Sequence, residues 1–310
     1  MGRIVFINPF GKAEITGGIK TAYRHVELLS DLGFDACVYQ PDGTPSWFES
    51  RAKVMTARPF TPAPDDVLVF PEVLAGPIRE LAQMRTPAKK IMYCQNQYYM
   101  TLNGATAEGY AALGFTRFAA SSIRAKEFLE RVFHLKEVAI IPPPVDHRLF
   151  NPQAHKSGIA LVPRKMPREA AVIRNIFGAK YPSLRSVPWN AVDNRSERET
   201  AAALSGAAVC LSLGFLESLG LIALEAMAAG TIVVGFHGYG GMEYATDENG
   251  IWLPPDHLEE TADALAAAIT GTERGEPRFA AMREAGFKTA AGYGRERTKA
   301  ALQEFFTPSR

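Results

Sequence analysis

Short apolar runs alternate along this chain with stretches in which apolar residues recur every three or four positions. "RIVFINP" is a brief apolar run closed by turn residues, which predicts a first strand. In "GGIKTAYRHVELLSDLG" the residues Ile19, Ala22, Tyr23, Val26, Leu29 and Leu32 share one helical face, and Gly33 closes the helix. "DACVYQ", "DDVLVF", "KKIMYC", "FTRFAASS" and "VAIIPPP" predict further strands, while "AGPIRELAQM" and "SIRAKEFLERVFHL" predict helices. Strands joined through helices pair in parallel, because a parallel partner is reached only by a long crossover. A first α/β domain over residues 1–145 follows.

"IPPPVDHRLFNPQAHKSG" interrupts the alternation with four prolines, which continue neither a helix nor a central strand, and is taken as the interdomain connection. Alternation resumes over residues 146–290. "IALVP", "SVPWNAV", "AAVCLSL", "TIVVGF" and "IWLP" predict strands, and helices are expected over "REAAVIRNIF", "ERETAAALSG", Leu219 to Ala229 and "LEETADALAAAIT". Alanine-rich helices from Arg278 to Phe306 follow, and a last helix over about 290–310 is placed to pack back on the first domain. The expected architecture is two doubly wound, Rossmann-like parallel sheets, with only one strand between "IALVP" and "AAVCLSL".

Composition narrows the classes. The chain has 310 residues, a formal net charge of +1, 47% hydrophobic and 22% charged residues, as expected for about two globular cores. Nothing in that balance demands nucleic acid or an anionic membrane. Cys37, Cys94 and Cys210 sit singly in apolar runs, which fits a reducing, cytoplasmic setting. Six histidines lack zinc-ligand spacing, so no metal is expected. The start, "MGRIVFINPFGK", lacks the apolar core and small-residue site of a secretory leader.

One segment carries candidate chemistry. Between Glu199 and Glu243 the only charged side chains are Glu217 and Glu225. Glycines at 214, 220 and 230 and a central glutamate make a membrane helix a poor reading. Ser218 is a candidate N-cap, and a helix starting there would offer unpaired N–H groups and a positive dipole end to phosphate. Gly220 would let a ligand approach the backbone. Glu225, among Leu221, Ile222, Ala223, Leu224, Ala226 and Met227, needs a partner or a ligand. If all helical, the two acids would stand about 12 Å apart, near the span of a nucleoside diphosphate with its sugar. Each has a plainer alternative. Glu217 could simply favour a helix start, worth ~0.3–1 kcal/mol, and Glu225 could be satisfied by a backbone amide.

"FLESLGLIALEAMAAGTIVVGF", followed by "GYGGMEYATDENGIWL", resembles the donor-site signature of retaining glycosyltransferase family 4, which has the GT-B fold. That signature reads E-x-x-G-L, then L-E-A-M-A-x-G, then a strand and a paired glycine followed by a glutamate. "GGIKTAYRHVELLSDLGFDACVY" resembles the family's first glycine loop and helix. "FAASSIRAKEFL…VAIIPPPVDHRLFNP" resembles the end of its first domain, with Pro143 and Pro144 in place of Asn-Gly.

The resemblance implies roles. Glu225 would hold the donor ribose, Glu217 the sugar hydroxyls near the reacting carbon, and the backbone of Ser218, Leu219 and Gly220 the diphosphate. Gly17 and Gly18 would let the first helix approach the phosphates and the acceptor. The family's basic pair is replaced by Arg164, Lys165 and Arg168 of "IALVPRKMPREAA", with Arg164 the first choice to stabilise the leaving diphosphate. Gln95 or Asn96 stands where the family often has a histidine, and an amide there binds hydroxyls but moves no proton. Trp189 and Val192 are candidates for contact with the base, Trp189 more readily as core.

The resemblance therefore implies metal-independent, cofactor-free transfer of a sugar from a nucleotide diphosphate-sugar to a hydroxyl of a glycan, lipid-linked or small-molecule acceptor, with retention. The donor would lie in a cleft between the domains, and the pathway would be polysaccharide or glycoconjugate synthesis. Such an enzyme would be cytoplasmic, with peripheral contact at the inner membrane face left open. The alternative is a non-catalytic subunit on the same fold that binds a nucleotide sugar or glycan. A related epimerase or phosphorylase fits less well, and a dehydrogenase is disfavoured because no GxGxxG follows the first strand.

Overall fold

The computed structural model describes residues 2–102, 104 and 106–307. The chain divides into two compact units, residues 1–144 with 295–310, and residues 145–294.

In the first unit seven short strands pair in parallel: β1 (Ile4–Ile7), β2 (Ala36–Tyr39), β3 (Val54–Met55), β4 (Val67–Pro71), β5 (Lys89–Cys94), β6 (Phe115–Ala120) and β7 (Ala139–Ile140). Their order is β3-β2-β1-β4-β5-β6-β7, so the winding reverses between β1 and β4. Strands β1 and β2 are buried on both faces and read as continuous apolar runs, the mark of a covered parallel sheet. The crossovers are α1 (Gly17–Asp31), α2 (Gly76–Gln83), α3 (Gln97–Leu102), α4 (Ala107–Ala112) and α5 (Ile123–Val132). The helix α1 buries Ile19, Ala22, Tyr23, Val26 and Leu29, as its periodicity predicts.

The second unit has β8 (Ile159–Leu161), β9 (Trp189–Ala191), β10 (Val209–Gly214), β11 (Ile232–His237) and β12 (Ile251–Trp252), all parallel in the order β12-β11-β10-β8-β9. Here the winding reverses between β8 and β10. Helices α6 (Pro167–Lys180), α7 (Glu197–Gly206), α8 (Leu221–Ala228), the short α9 (Gly238–Gly241), α10 (Leu258–Glu273) and α11 (Pro277–Ala291) complete it.

Two details refine these boundaries. The division between the units falls within the proline-rich stretch, after Pro144, and Val145 and Phe150, 0% and 1% exposed, join the core of the second unit. Of the terminal helices, α11 stays with the second unit, where Ala290 packs beside Met227 and Tyr293. Only α12 (Arg295–Phe306) belongs to the first. There Leu302, Phe305 and Phe306 are buried with α1, and Thr298 donates to the Pro142 carbonyl at 2.9 Å. Arg117 on β6 covers the Phe305 ring and donates to its carbonyl at 2.6 Å. The predicted helix ran to 310, and 308–310 lie outside the described residues.

A buried lysine ties the crossovers down. Lys90 on β5 is 6% exposed, and its Nζ donates to the carbonyls of Ala82 (2.6 Å), Met84 (2.9 Å) and Leu113 (2.9 Å). It thus neutralises carbonyls at the ends of α2 and α4, the negative end of each helix. Lys90→Met keeps the stem but strips all three acceptors of this donor. It is expected to destabilise the first unit by about 2–4 kcal/mol, read as a shift of the urea midpoint. A change below about 1 kcal/mol would show that these bonds carry little of the fold.

Candidate functional site

In the second unit the candidate residues gather where the sheet reverses. A parallel sheet wound both ways leaves a crevice at the carboxyl ends of the two strands flanking the reversal. These strands are β8 and β10. The turn after β8 carries Arg164 and Lys165, and the loop after β10 carries Phe215 to Gly220. Across the reversal Lys165 Nζ meets Glu217 Oε1 at 2.8 Å, with side-chain exposures of 20% and 28%. The same ammonium lies 3.5 Å from the carbonyls of Phe215 and Leu216. One cation therefore ties together the side chain and backbone of the loop.

The loop's path explains its glycines. A Cβ at Gly214 would stand 2.5 Å from the Phe236 carbonyl oxygen on the neighbouring strand. Leu216 takes φ of +48° and Gly220 of +82°, so the chain turns twice through the left-handed region. Gly240, on α9, supports the loop from below. Its N–H donates to the Glu217 carbonyl at 3.0 Å, and a Cβ there would overlap the Ser218 carbonyl oxygen at 1.7 Å. The Tyr244 hydroxyl donates to the Gly220 carbonyl at 2.9 Å. Burial, and after it the charge of Glu217, push that phenol well above its ordinary pKa.

This corrects the expected helix start. Ser218 is buried and is not the N-cap; Gly220 occupies that position with no side-chain cap, and α8 begins at Leu221 rather than Leu219. Gly220, at φ +82°, makes the left-handed turn into the helix. Ser218, Leu219 and Gly220 still form the approach to the helix, now as a turn whose backbone is held by Gly240 and Tyr244.

Glu225 lies about one turn into α8, 3% exposed, with Ala223, Leu224, Ala226 and Met227 buried around it. Its carboxylate is near β10: burial and, second, the Glu225 charge push the Cys210 thiol up to about 12. Arg164 and Arg168 are exposed, and of the three basic candidates Lys165 is the one brought to Glu217. Trp189 begins its strand, at the end of the sheet opposite the loop. It packs edge-on to Phe177 at 5.5 Å, with Arg174 at 5.9 Å from its ring, which is a core role. Val192 is buried just beyond β9.

The first unit gathers its candidates at its own reversal, after β1, β4 and β5. Gly17 opens α1, capped by Thr16, whose hydroxyl accepts from Ile19 N–H at 3.4 Å. The Gln95 amide donates to the Gly18 carbonyl at 3.2 Å and lies where a Cβ on Gly18 would be 3.3 Å away. Asn96 is 7% exposed, its side-chain oxygen accepting from Tyr98 N–H at 3.1 Å. A residue overlooked in the sequence organises this turn. Glu72, directly after β4, accepts from Gln95 N–H at 3.0 Å and Asn96 N–H at 2.9 Å. It is 3% exposed, and burial raises its pKa to about 7 against the lowering effect of those N–H groups. A lone acid closing the apolar run "DDVLVFP" was the signal available. Among the described residues no group of three or more His, Cys, Asp or Glu could hold a metal.

Comparison with known proteins adds to this geometry. Residues 191–289, which hold Glu217, Glu225 and the glycines around them, match the family model of glycosyl transferases group 1. An alpha-1,6-glucosyltransferase of Actinobacillus pleuropneumoniae serotype 7 (strain AP76) is 28% identical over 264 residues, covering 82% of this chain and 80% of that protein. Among solved structures, sucrose-phosphate synthase from Thermosynechococcus elongatus superposes with a TM-score of 0.70 at 16% identity, covering 99% of this chain and 98% of that one. Anabaena HepE, solved with UDP-glucose, gives 0.68 at 11% identity over 98% of each chain. The fold is that of the GT-B glycosyltransferases, and the matched pattern and the relative point to a glycosyltransferase.

Proposed function

We propose that the protein is a retaining glycosyltransferase of family 4 that moves a hexosyl group from a UDP-sugar, UDP-glucose first among them, to a hydroxyl acceptor. The observation that carries this reading is the Lys165–Glu217 pair at the reversal of the second sheet, beside a glycine-walled turn and the buried Glu225. The donor base and sugar are suggested by the Actinobacillus relative's name and by the UDP-glucose bound to Anabaena HepE.

Each group then has a task set by its chemistry. Glu225 accepts hydrogen bonds from the ribose hydroxyls. The turn at Ser218, Leu219 and Gly220 receives the diphosphate, since no side chain at Gly220 stands in the way. Lys165 and Arg164 place positive charge where the departing diphosphate gains negative charge, and cations fixed in advance lower that barrier. They also do the work for which other phosphate chemistry recruits a metal ion. Glu217 accepts from hydroxyls of the donor sugar near the reacting carbon. The acceptor hydroxyl attacks the face that the diphosphate leaves, and a phosphate oxygen takes its proton, so the anomeric configuration is kept. In the first unit the face formed by Gly17, Gly18, Gln95 and Asn96 takes the acceptor. No described helix is long and apolar enough to cross a membrane. The three buried free thiols suit a reducing compartment, and we place the enzyme in the cytoplasm.

Glu225→Ala should weaken UDP at least about tenfold by calorimetry, close to 1.4 kcal/mol; equal affinities would remove the ribose role. Glu217→Gln should bind UDP normally yet lower kcat by about 10²–10³, and full turnover would contradict its place at the sugar. Gly240→Ala forces the Ser218 carbonyl aside. UDP affinity is expected to fall at least about tenfold with the circular dichroism unchanged. An unaltered affinity would mean that the turn does not hold phosphate.

A further inference from the structure

We propose that Glu72 is the positioning residue of the first unit's acceptor face: its carboxylate clamps the 95–96 turn through two backbone N–H groups and so holds the Gln95 amide on the start of α1. The proposal rests on the glycosyltransferase reading for what the face binds, but the clamp itself is geometric.

Two segments meet at this carboxylate. It follows β4 and faces the turn after β5, accepting from Gln95 N–H on Oε2 at 3.0 Å and Asn96 N–H on Oε1 at 2.9 Å. Gln95 then reaches the carbonyl of Gly18, and Ser121 beyond β6 donates to the Gln95 carbonyl at 3.5 Å. An anion accepts strongly on both oxygens at once, protonation leaves the hydroxyl oxygen a weaker acceptor, and glutamine sets an NH2 donor against one of the two N–H groups. The titratable groups around Glu72 are Tyr93 and Cys94 on β5 and Tyr110 on α4, whose hydroxyl donates to the Glu72 carbonyl at 3.2 Å. All three are neutral at pH 7, raised by burial and by the Glu72 charge, and none offers a counter-ion.

The clamp is therefore sensitive to pH. Burial raises the Glu72 carboxyl from 4.5 to about 7. Below the unfolded value the group is protonated in both states, and as pH rises from there through about 7 its ionisation costs stability. Above 7 the anion engages both N–H groups, and those bonds offset part of the cost of burying its charge.

The decisive experiment is amide exchange at Gln95 and Asn96 in the full chain, corrected for intrinsic base catalysis. At mildly alkaline pH, Glu72→Gln should lower the protection of both amides at least about tenfold, while Glu72→Asp, which keeps the charge, restores part of it. In transfer assays Glu72→Gln should raise the acceptor KM and leave UDP affinity unchanged. Unchanged protection in Glu72→Gln overturns the clamp. Should Glu72→Gln not fold, Glu72→Asp decides, and protection equal to that of the wild type overturns the clamp. Absence of sugar transfer by the wild type overturns the enzymatic reading and leaves the clamp to be judged by exchange.

Discussion

Everything in the second unit's site depends on the route of the backbone between Gly214 and Leu221. The loop leaves β10 so close to β11 that no side chain fits at Gly214, and it enters α8 through a left-handed Gly220. Gly240 lies directly beneath the Ser218 carbonyl. Backbone against backbone at this distance leaves no slack, and a packed interior does not deform to supply any. Lys165 closes the other side by gripping the Glu217 carboxylate and approaching two of the loop's carbonyls. The loop is thus held from both sides, and it is groups fixed in this way that act effectively on a developing charge.

The two units solve a common problem in opposite ways. Each sheet reverses its winding, and each sets a glutamate just beyond a strand at the reversal, Glu72 after β4 and Glu217 after β10. Glu217 is partly exposed and meets a lysine, so it remains available to a ligand. Glu72 is buried and spends both oxygens on backbone N–H groups, so it orders a turn rather than touching a substrate. Environment rather than residue type separates the two roles.

Much of the fold was legible from apolar periodicity. The alternation predicted β1, β2, β4 and β5 as well as α1, and it found the single strand between β8 and β10. Parallel pairing followed from the helical crossovers, because no shorter link joins parallel strands. Illegible were features that depend on distant partners. Ser218 has the right chemistry for an N-cap, but the capping position is decided by the conformation of Gly220, which Tyr244 and the neighbouring strand hold in place. The sequence offers three basic residues after β8, and only packing shows that Lys165 is the one turned toward Glu217. The prolines at 141–158 mark the passage between the units, while the burial of Val145 and Phe150 was not legible, because it depends on the core of the second unit. Glu72 was illegible because its partners, the N–H groups of Gln95 and Asn96, lie in the turn after another strand.

The central claim is that Lys165 and Glu217 act together on a nucleotide sugar. A double-mutant cycle on UDP-glucose affinity, with Lys165→Ala, Glu217→Gln and the pair, tests it most directly. The account predicts measurable binding by the wild type and a coupling energy above about 1 kcal/mol. Strictly additive losses, or no binding of UDP-glucose at all, would contradict it.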